Sequence, residues 1–98
     1  MAEVRWAERA RDDLRELHGF ISRDSPRAAD AQVERILSAA ERLVAYPQSG
    51  RALPEFPNLN YREIIVSAYR VIYQTQQGAV WVVAVLHGRR LLGTKSLH

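Results

Sequence analysis

An α+β fold with the element order β-α-α-β-β-β, a helical hairpin packed on one face of an antiparallel sheet, is predicted by three stretches of this 98-residue chain. Residues 61–90 hold the β-branched and aromatic runs Ile64-Ile65-Val66, Val71-Ile72-Tyr73 and residues 80–85, which favour three pleated strands. Upstream, apolar residues recur at helical spacing in two stripes divided by Ser25-Pro26. The chain opens on an alternating tetrapeptide, Glu3-Val4-Arg5-Trp6, suited to an edge strand. Helices segregated from hairpin-linked strands give the α+β class, with the helices on one face of the sheet.

Taken in order, Trp6, Ala10, Leu14, Leu17 and Ile21 mark the buried stripe of a helix over residues 7–22. Gly19 inside it costs about 1 kcal/mol relative to alanine and weakens the last turn. Ser25 is placed to cap a second helix, and Pro26 sits at its first position, where a missing N–H is harmless. Ala29, Val33, Ile36, Leu37, Ala40, Leu43 and Val44 carry that helix towards Tyr46, where Pro47 stops it. The short connection makes the two helices antiparallel. Residues 47–60, with Pro47, Pro54, Pro57 and the Gly50-Arg51 pair, read as a long loop of the kind that often carries function. Residues 91–98 show no periodicity, and three readings are open for them within the one domain, 1–98: an extension of the last strand, a loosely packed segment, or a flexible tail.

Counting sorts the sheet. Turns at Ser67-Ala68 and Gln77-Gly78 set Ile64 opposite Val71 and Tyr73 opposite Val82. Strict alternation then puts Ile64, Val66, Tyr69, Val71, Tyr73, Val80, Val82, Ala84 and Leu86 on a face for the helices. The other face carries Tyr61, Glu63, Ile65, Arg70, Ile72, Gln74, Trp81, Val83, Val85 and His87. There Arg70 and His87 become diagonal neighbours, roughly 7–8 Å apart at the backbone. A polar rim around an apolar middle at Ile72, Val83 and Val85 marks this as the binding face.

Composition excludes several classes. The chain has no cysteine, so disulfides, thiolate metal sites and thiol nucleophiles are ruled out. His18, His87 and His98 lack metal-ligand spacing, and no metal or cofactor is expected. No apolar run approaches the ~20 residues that span a bilayer, and no signal-peptide core is visible, which predicts a soluble cytoplasmic protein. Residues 1–46 hold eight arginines against nine acidic residues; residues 47–98 hold six basic residues against two glutamates. The net charges of −1 and +4 make the stated +3, and the sheet half is the one suited to an anionic partner.

Seven motifs in order carry a resemblance. They are Trp6 ahead of Asp13-Leu14, Ser25-Pro26-Arg27-Ala28-Ala29, Pro47-Gln48-Ser49-Gly50-Arg51, Pro54-Glu55, Tyr61-Arg62-Glu63, Tyr69-Arg70-Val71-Ile72-Tyr73 and His87-Gly88-Arg89-Arg90. Together they span residues 4–90 and resemble the RelE/ParE superfamily of toxins from bacterial type II toxin–antitoxin pairs. The resemblance implies the hairpin-on-sheet fold and a cognate antitoxin whose acidic, partly disordered C-terminal segment wraps the toxin. RelE-like members cut mRNA at the ribosome; ParE-like members poison DNA gyrase.

In a nuclease of this group Arg70 falls where the scissile phosphate is held, Arg51 and Glu55 in a catalytic loop, and His87 near the acid at the strand end. Glu63, diagonal to Arg70, offers it a purely structural partner instead. The ending His87-Gly88-Arg89-Arg90 and the single lysine, Lys95, resemble the ParE-like branch more closely. The chain is therefore expected to inhibit gyrase without catalysis of its own. The alternatives are a ribosome-dependent endoribonuclease and a non-toxic relative that only binds its partner. Tyr61, Arg70, Ile72, Trp81, Val83, Val85, His87, Arg89 and Arg90 are the expected partner contacts.

Overall fold

The computed structural model describes residues 3–88. Strand β1 (Glu3–Trp6) leads into helices α1 (Glu8–Ser22) and α2 (Pro26–Arg42). A short β2 (Arg51–Ala52) follows, then β3 (Arg62–Val66), β4 (Tyr69–Gln76) and β5 (Ala79–His87). The five strands form one sheet in the order β1-β5-β4-β3-β2. All neighbours are antiparallel except β1, which joins β5 in parallel, with Val4 beside Val80. The expected α+β architecture and element order hold, with β2 added inside the long loop.

The helices start and stop for legible reasons. Ser25 caps α2, its hydroxyl accepting the Ala28 N–H at 3.1 Å, and Pro26 opens the helix. α1 starts behind Ala7 without a side-chain cap. α2 ends at Arg42 rather than near Tyr46. Leu43 and Val44 bond back three residues, to Ala40 and Glu41, so the chain tightens before Pro47 is reached. The α1 and α2 stripes bury Ala10, Leu17, Ile36 and Ala40 against Val71, Val82 and Val85. Trp6, Leu14 and Ile21 pack on the same core, as their spacing requires.

Both hairpin turns fall at the predicted residues. Gln77 and Gly78 take φ of 52° and 77°, the two positive values of a tight strand-to-strand turn. Ser67 takes φ of 56° in the other turn, and Val66 faces Tyr69. Beyond Tyr73, however, strict alternation fails. Tyr73 still faces Val82, but Ile72 faces Ala84, leaving Val83 as the extra residue of a β-bulge.

The bulge exchanges the two sides of the last half of β5. Val85 turns to the helix face opposite Val71 and is buried, while Ala84 and Leu86 turn to the other face with Ile72. His87 moves with Val85 and lies opposite Tyr69, so it is not a same-face neighbour of Arg70. The second face is also not open. Leu53, Phe56 and Tyr61 from the 47–61 segment close over Ile72, Ala84 and Leu86, and Ile72 is fully buried. Val85 and Ile72 are thus core residues rather than an exposed binding surface. Arg89, Arg90 and the expected tail at 91–98 lie outside the described residues.

Candidate functional site

Four charged side chains meet on the sheet face away from the helices. The β3–β4 register sets Glu63 opposite Ile72 and Ile65 opposite Arg70, so Glu63 and Arg70 are diagonal neighbours on one face. Strand β2 pairs Arg51 with Glu63 and adds a second guanidinium to that face. The buried Leu53 anchors the following turn and brings Glu55 over the sheet. Arg70 Nε donates to Glu63 Oε1 at 2.7 Å, while Nη1 and Nη2 grip the two Glu55 oxygens, each at 2.7 Å. Arg51 Nε donates to the other Glu63 oxygen at 2.7 Å.

The result is a chain, Arg51–Glu63–Arg70–Glu55, with two positive and two negative members. Burial decides its character. The Glu63 side chain is 0% exposed, Arg70 5% and Glu55 11%, whereas Arg51 is 66% exposed. Three of the four charges are therefore out of water, and only mutual pairing makes that tolerable. The hydrogen bonds that Arg70 donates to Glu55, seconded by those to Glu63, raise its pKa above the ordinary value against the opposing effect of burial. A cleft of about 320 Å³ lies over this chain, lined by Arg51, Pro54, Glu55, Ile65, Arg70 and Gly88.

A second set of contacts fixes the approach to β2. Tyr73 is fully buried; its hydroxyl accepts the Gly50 N–H at 2.9 Å and donates to the Pro47 carbonyl at 2.8 Å. Arg62 Nη1 donates to the Gly50 carbonyl at 2.7 Å. Gly50 has no room for a side chain, since a Cβ there would sit 2.5 Å from the Tyr73 hydroxyl and 2.7 Å from the Glu63 carbonyl oxygen. The motif around Gly50-Arg51 is thus a clamp that delivers Arg51 to Glu63.

His87 lies elsewhere. It is exposed, meets the Tyr69 ring edge-on with centroids 5.9 Å apart, and borders a cleft of about 550 Å³ with Asp13, Leu17 and Phe20. Asp13 accepts the Val85 N–H at 2.9 Å, on the side of β5 left open where β1 ends at Trp6. Burial raises the Asp13 pKa, outweighing that backbone hydrogen bond and the nearby Arg9. Trp81 is half-buried under the Arg5 guanidinium, which stands 5.6 Å from its ring centroid. Val83 and Tyr61 pack at the margin of the loop-covered cluster.

Of the nuclease candidates, Arg51, Glu55 and Arg70 are brought together and His87 is not. Both Glu55 oxygens accept from Arg70, and so neither stands ready as a base for a ribose hydroxyl. Sequence counting found the Glu63–Arg70 pair but missed Glu55 as its third member. No periodicity marks a loop glutamate as the partner of a strand arginine. The Tyr73 hydroxyl clamp and the Asp13 cap on Val85 were missed for the same reason. Among the described residues no group of three or more histidine, aspartate or glutamate side chains is placed to hold a metal ion.

Comparisons with known proteins agree with this architecture. Residues 4–92 match a family model described as the ParE toxin of the type II toxin–antitoxin system parDE. The chain is 35% identical over 92 residues to Toxin RelE2 of Caulobacter vibrioides, covering 93% of this chain and 100% of that protein. It is 33% identical over 91 residues to Toxin RelE3 of the same organism, covering 89% and 95%. Among solved structures, the chromosomal ParDE toxin–antitoxin system of P. aeruginosa superposes with a TM-score of 0.71 at 17% identity, over 89% of this chain and 96% of that one. The toxin–antitoxin complex RelBE2 of Mycobacterium tuberculosis gives 0.59 at 24% identity, over 87% and 95%.

Proposed function

The chain belongs to the ParE toxin family of type II toxin–antitoxin systems, within the RelE/ParE superfamily, and on that premise we propose that it arrests growth by binding DNA gyrase and is held inactive by a cognate antitoxin. The observation that carries the non-catalytic part is the separation of the nuclease candidates. Arg70 and Glu55 are tied to each other on one face of the sheet, and His87 stands on the other beside Tyr69. Cleavage by a ribose hydroxyl needs a base, an acid and cations gathered around one phosphate. Here the buried arginine is already neutralised by two carboxylates.

The family match supports the gyrase branch, and the ParDE and RelBE2 neighbours, both toxin–antitoxin assemblies, support an antitoxin partner. A gyrase target places the action in the cytoplasm. The RelE names of the two Caulobacter relatives favour a second reading, a ribosome-dependent endoribonuclease. In that reading Glu55 swings off Arg70 when RNA enters the cleft beside Arg51.

A supercoiling and DNA-cleavage assay with purified, antitoxin-free protein separates the two. Dose-dependent loss of supercoiling with accumulation of cleaved DNA is the expected result. Normal gyrase activity together with cleavage of ribosome-bound mRNA would overturn the gyrase reading and make Arg70 and Glu55 the first residues to mutate.

A further inference from the structure

The cleft of about 550 Å³ on the helix side takes no part in the ion chain or the loop-covered face. It opens between α1 and the last residues of β5, past the point where β1 ends at Trp6. Asp13, Glu16, Leu17, Phe20 and Arg23 recur three or four positions apart, so α1 presents them to the cleft as one stripe. Leu17 and Val85, both buried, supply apolar lining. Aromatic walls come from Phe20, 68% exposed, and from Tyr69, against whose ring His87 is set edge-on. Such a volume, with apolar walls and a few polar groups, suits a small molecule.

Those polar groups are unequally satisfied. Asp13 spends a single oxygen, Oδ2, on both the Val85 N–H at 2.9 Å and Arg9 at 3.4 Å. Its second oxygen, Oδ1, takes no hydrogen bond among the described residues. Glu16, one turn on, forms neither a hydrogen bond nor an ion pair among the described residues. Burial first, and then the like charge of Glu16, push the Asp13 pKa upward. The lining arginines do not answer these carboxylates. Arg15 is paired with Asp12, and Arg23 stands seven positions beyond Glu16, about 10 Å along the helix axis.

Charge therefore selects the ligand. A carboxylate held largely out of water gains from a cation that enters beside it, and ring faces attract the same charge. We propose that this cleft binds a small organic cation, an amidinium, guanidinium or alkylammonium group on a flat or aliphatic body. The charged head lies between Asp13 and Glu16, and the body lies between Phe20 and Tyr69. An anion of equal size meets two carboxylates there, and a neutral molecule leaves their repulsion in place. The inference stands apart from the choice between gyrase and ribosome.

The test uses the full chain and benzamidine, with benzamide and benzoate as probes of the same shape that are neutral and negative. Amide chemical shifts of isotope-labelled protein follow each titration. Benzamidine is expected to bind with a Kd of about 5 mM or tighter, moving the Gly19, Phe20 and Val85 amides most. Benzamide and benzoate bind at least roughly tenfold more weakly. Glu16→Gln and Phe20→Ala change exposed side chains, which leaves the fold intact, and each weakens benzamidine by roughly twofold or more. Arg23→Gln removes a lining cation and does not weaken it.

A benzamidine Kd weaker than about 5 mM overturns the proposal, as does equal binding of benzamide or benzoate. Shifts centred on the Arg51–Glu63–Arg70–Glu55 chain overturn it too, because the cation is then drawn to other carboxylates. So does unchanged affinity in either Glu16→Gln or Phe20→Ala.

Discussion

At the scale of single residues, the structure is dominated by what burial does to charge. Glu63 is fully enclosed and pairs with two arginines at once. Glu63→Gln removes one charge and strands Arg70 with a single carboxylate. A loss of about 3–5 kcal/mol is expected, read as a fall in the urea midpoint without a change in slope. An unchanged midpoint would mean that the ion chain contributes nothing. Asp13 works in the opposite sense. Its pKa is raised from 3.8 by burial, so the folded state binds its proton more tightly than the unfolded one, and the stability it contributes falls as pH rises through that window. Asp13→Asn keeps an oxygen for the Val85 N–H and removes the titration. The variant should gain on the parent as pH is raised from about 4 to about 7, measured by urea unfolding at each pH. A difference that stays constant with pH would remove Asp13 as the cause.

At the scale of elements, two glycines of similar appearance in the sequence behave differently. Gly19 lies in α1 with nothing within 4 Å of a Cβ, so only its backbone freedom matters. Gly19→Ala should stabilise by roughly 0.5–1 kcal/mol in thermal unfolding. Gly50 is packed under Tyr73 and beside Glu63. Gly50→Ala must push the clamp apart and should cost about 1–3 kcal/mol, with faster hydrogen exchange across residues 47–52. A neutral Gly50→Ala would show that the clamp is loose. The turns, both helices and the Ser25-Pro26 restart were legible because each rests on local chemistry. The bulge at Val83 was not legible. Residues 80–85 are apolar on both faces, so alternation carries no mark of where one residue is skipped.

At the scale of the whole molecule, the sheet divides its tasks between faces and edges. One face belongs to the helices, the other to the 47–61 segment and the ion chain, and β1 and β2 are the edge strands. A partner that binds only the folded chain stabilises it by mass action, by about 2.7 kcal/mol at a concentration one hundredfold above its Kd. For a domain of this size the unfolding midpoint should rise by roughly 10–20 °C when antitoxin is added at that excess. A midpoint that ignores the antitoxin would contradict the proposed pairing.

The element order, the turn positions, the helix stripes and the family resemblance all follow from the order of residues alone. Each depends on spacing and residue type within a short window, such as Ser25-Pro26 or Gln77-Gly78. Three-dimensional packing, by contrast, sets which face of the sheet Val85 and His87 occupy, that Ile72 is covered, and that Glu55 closes on Arg70 across fifteen positions of the chain. Those outcomes depend on one skipped residue in an all-apolar strand and on where a loop comes to rest. Both are set by packing between distant segments, where hydrophobic burial and charge pairing leave no local trace in the order of residues.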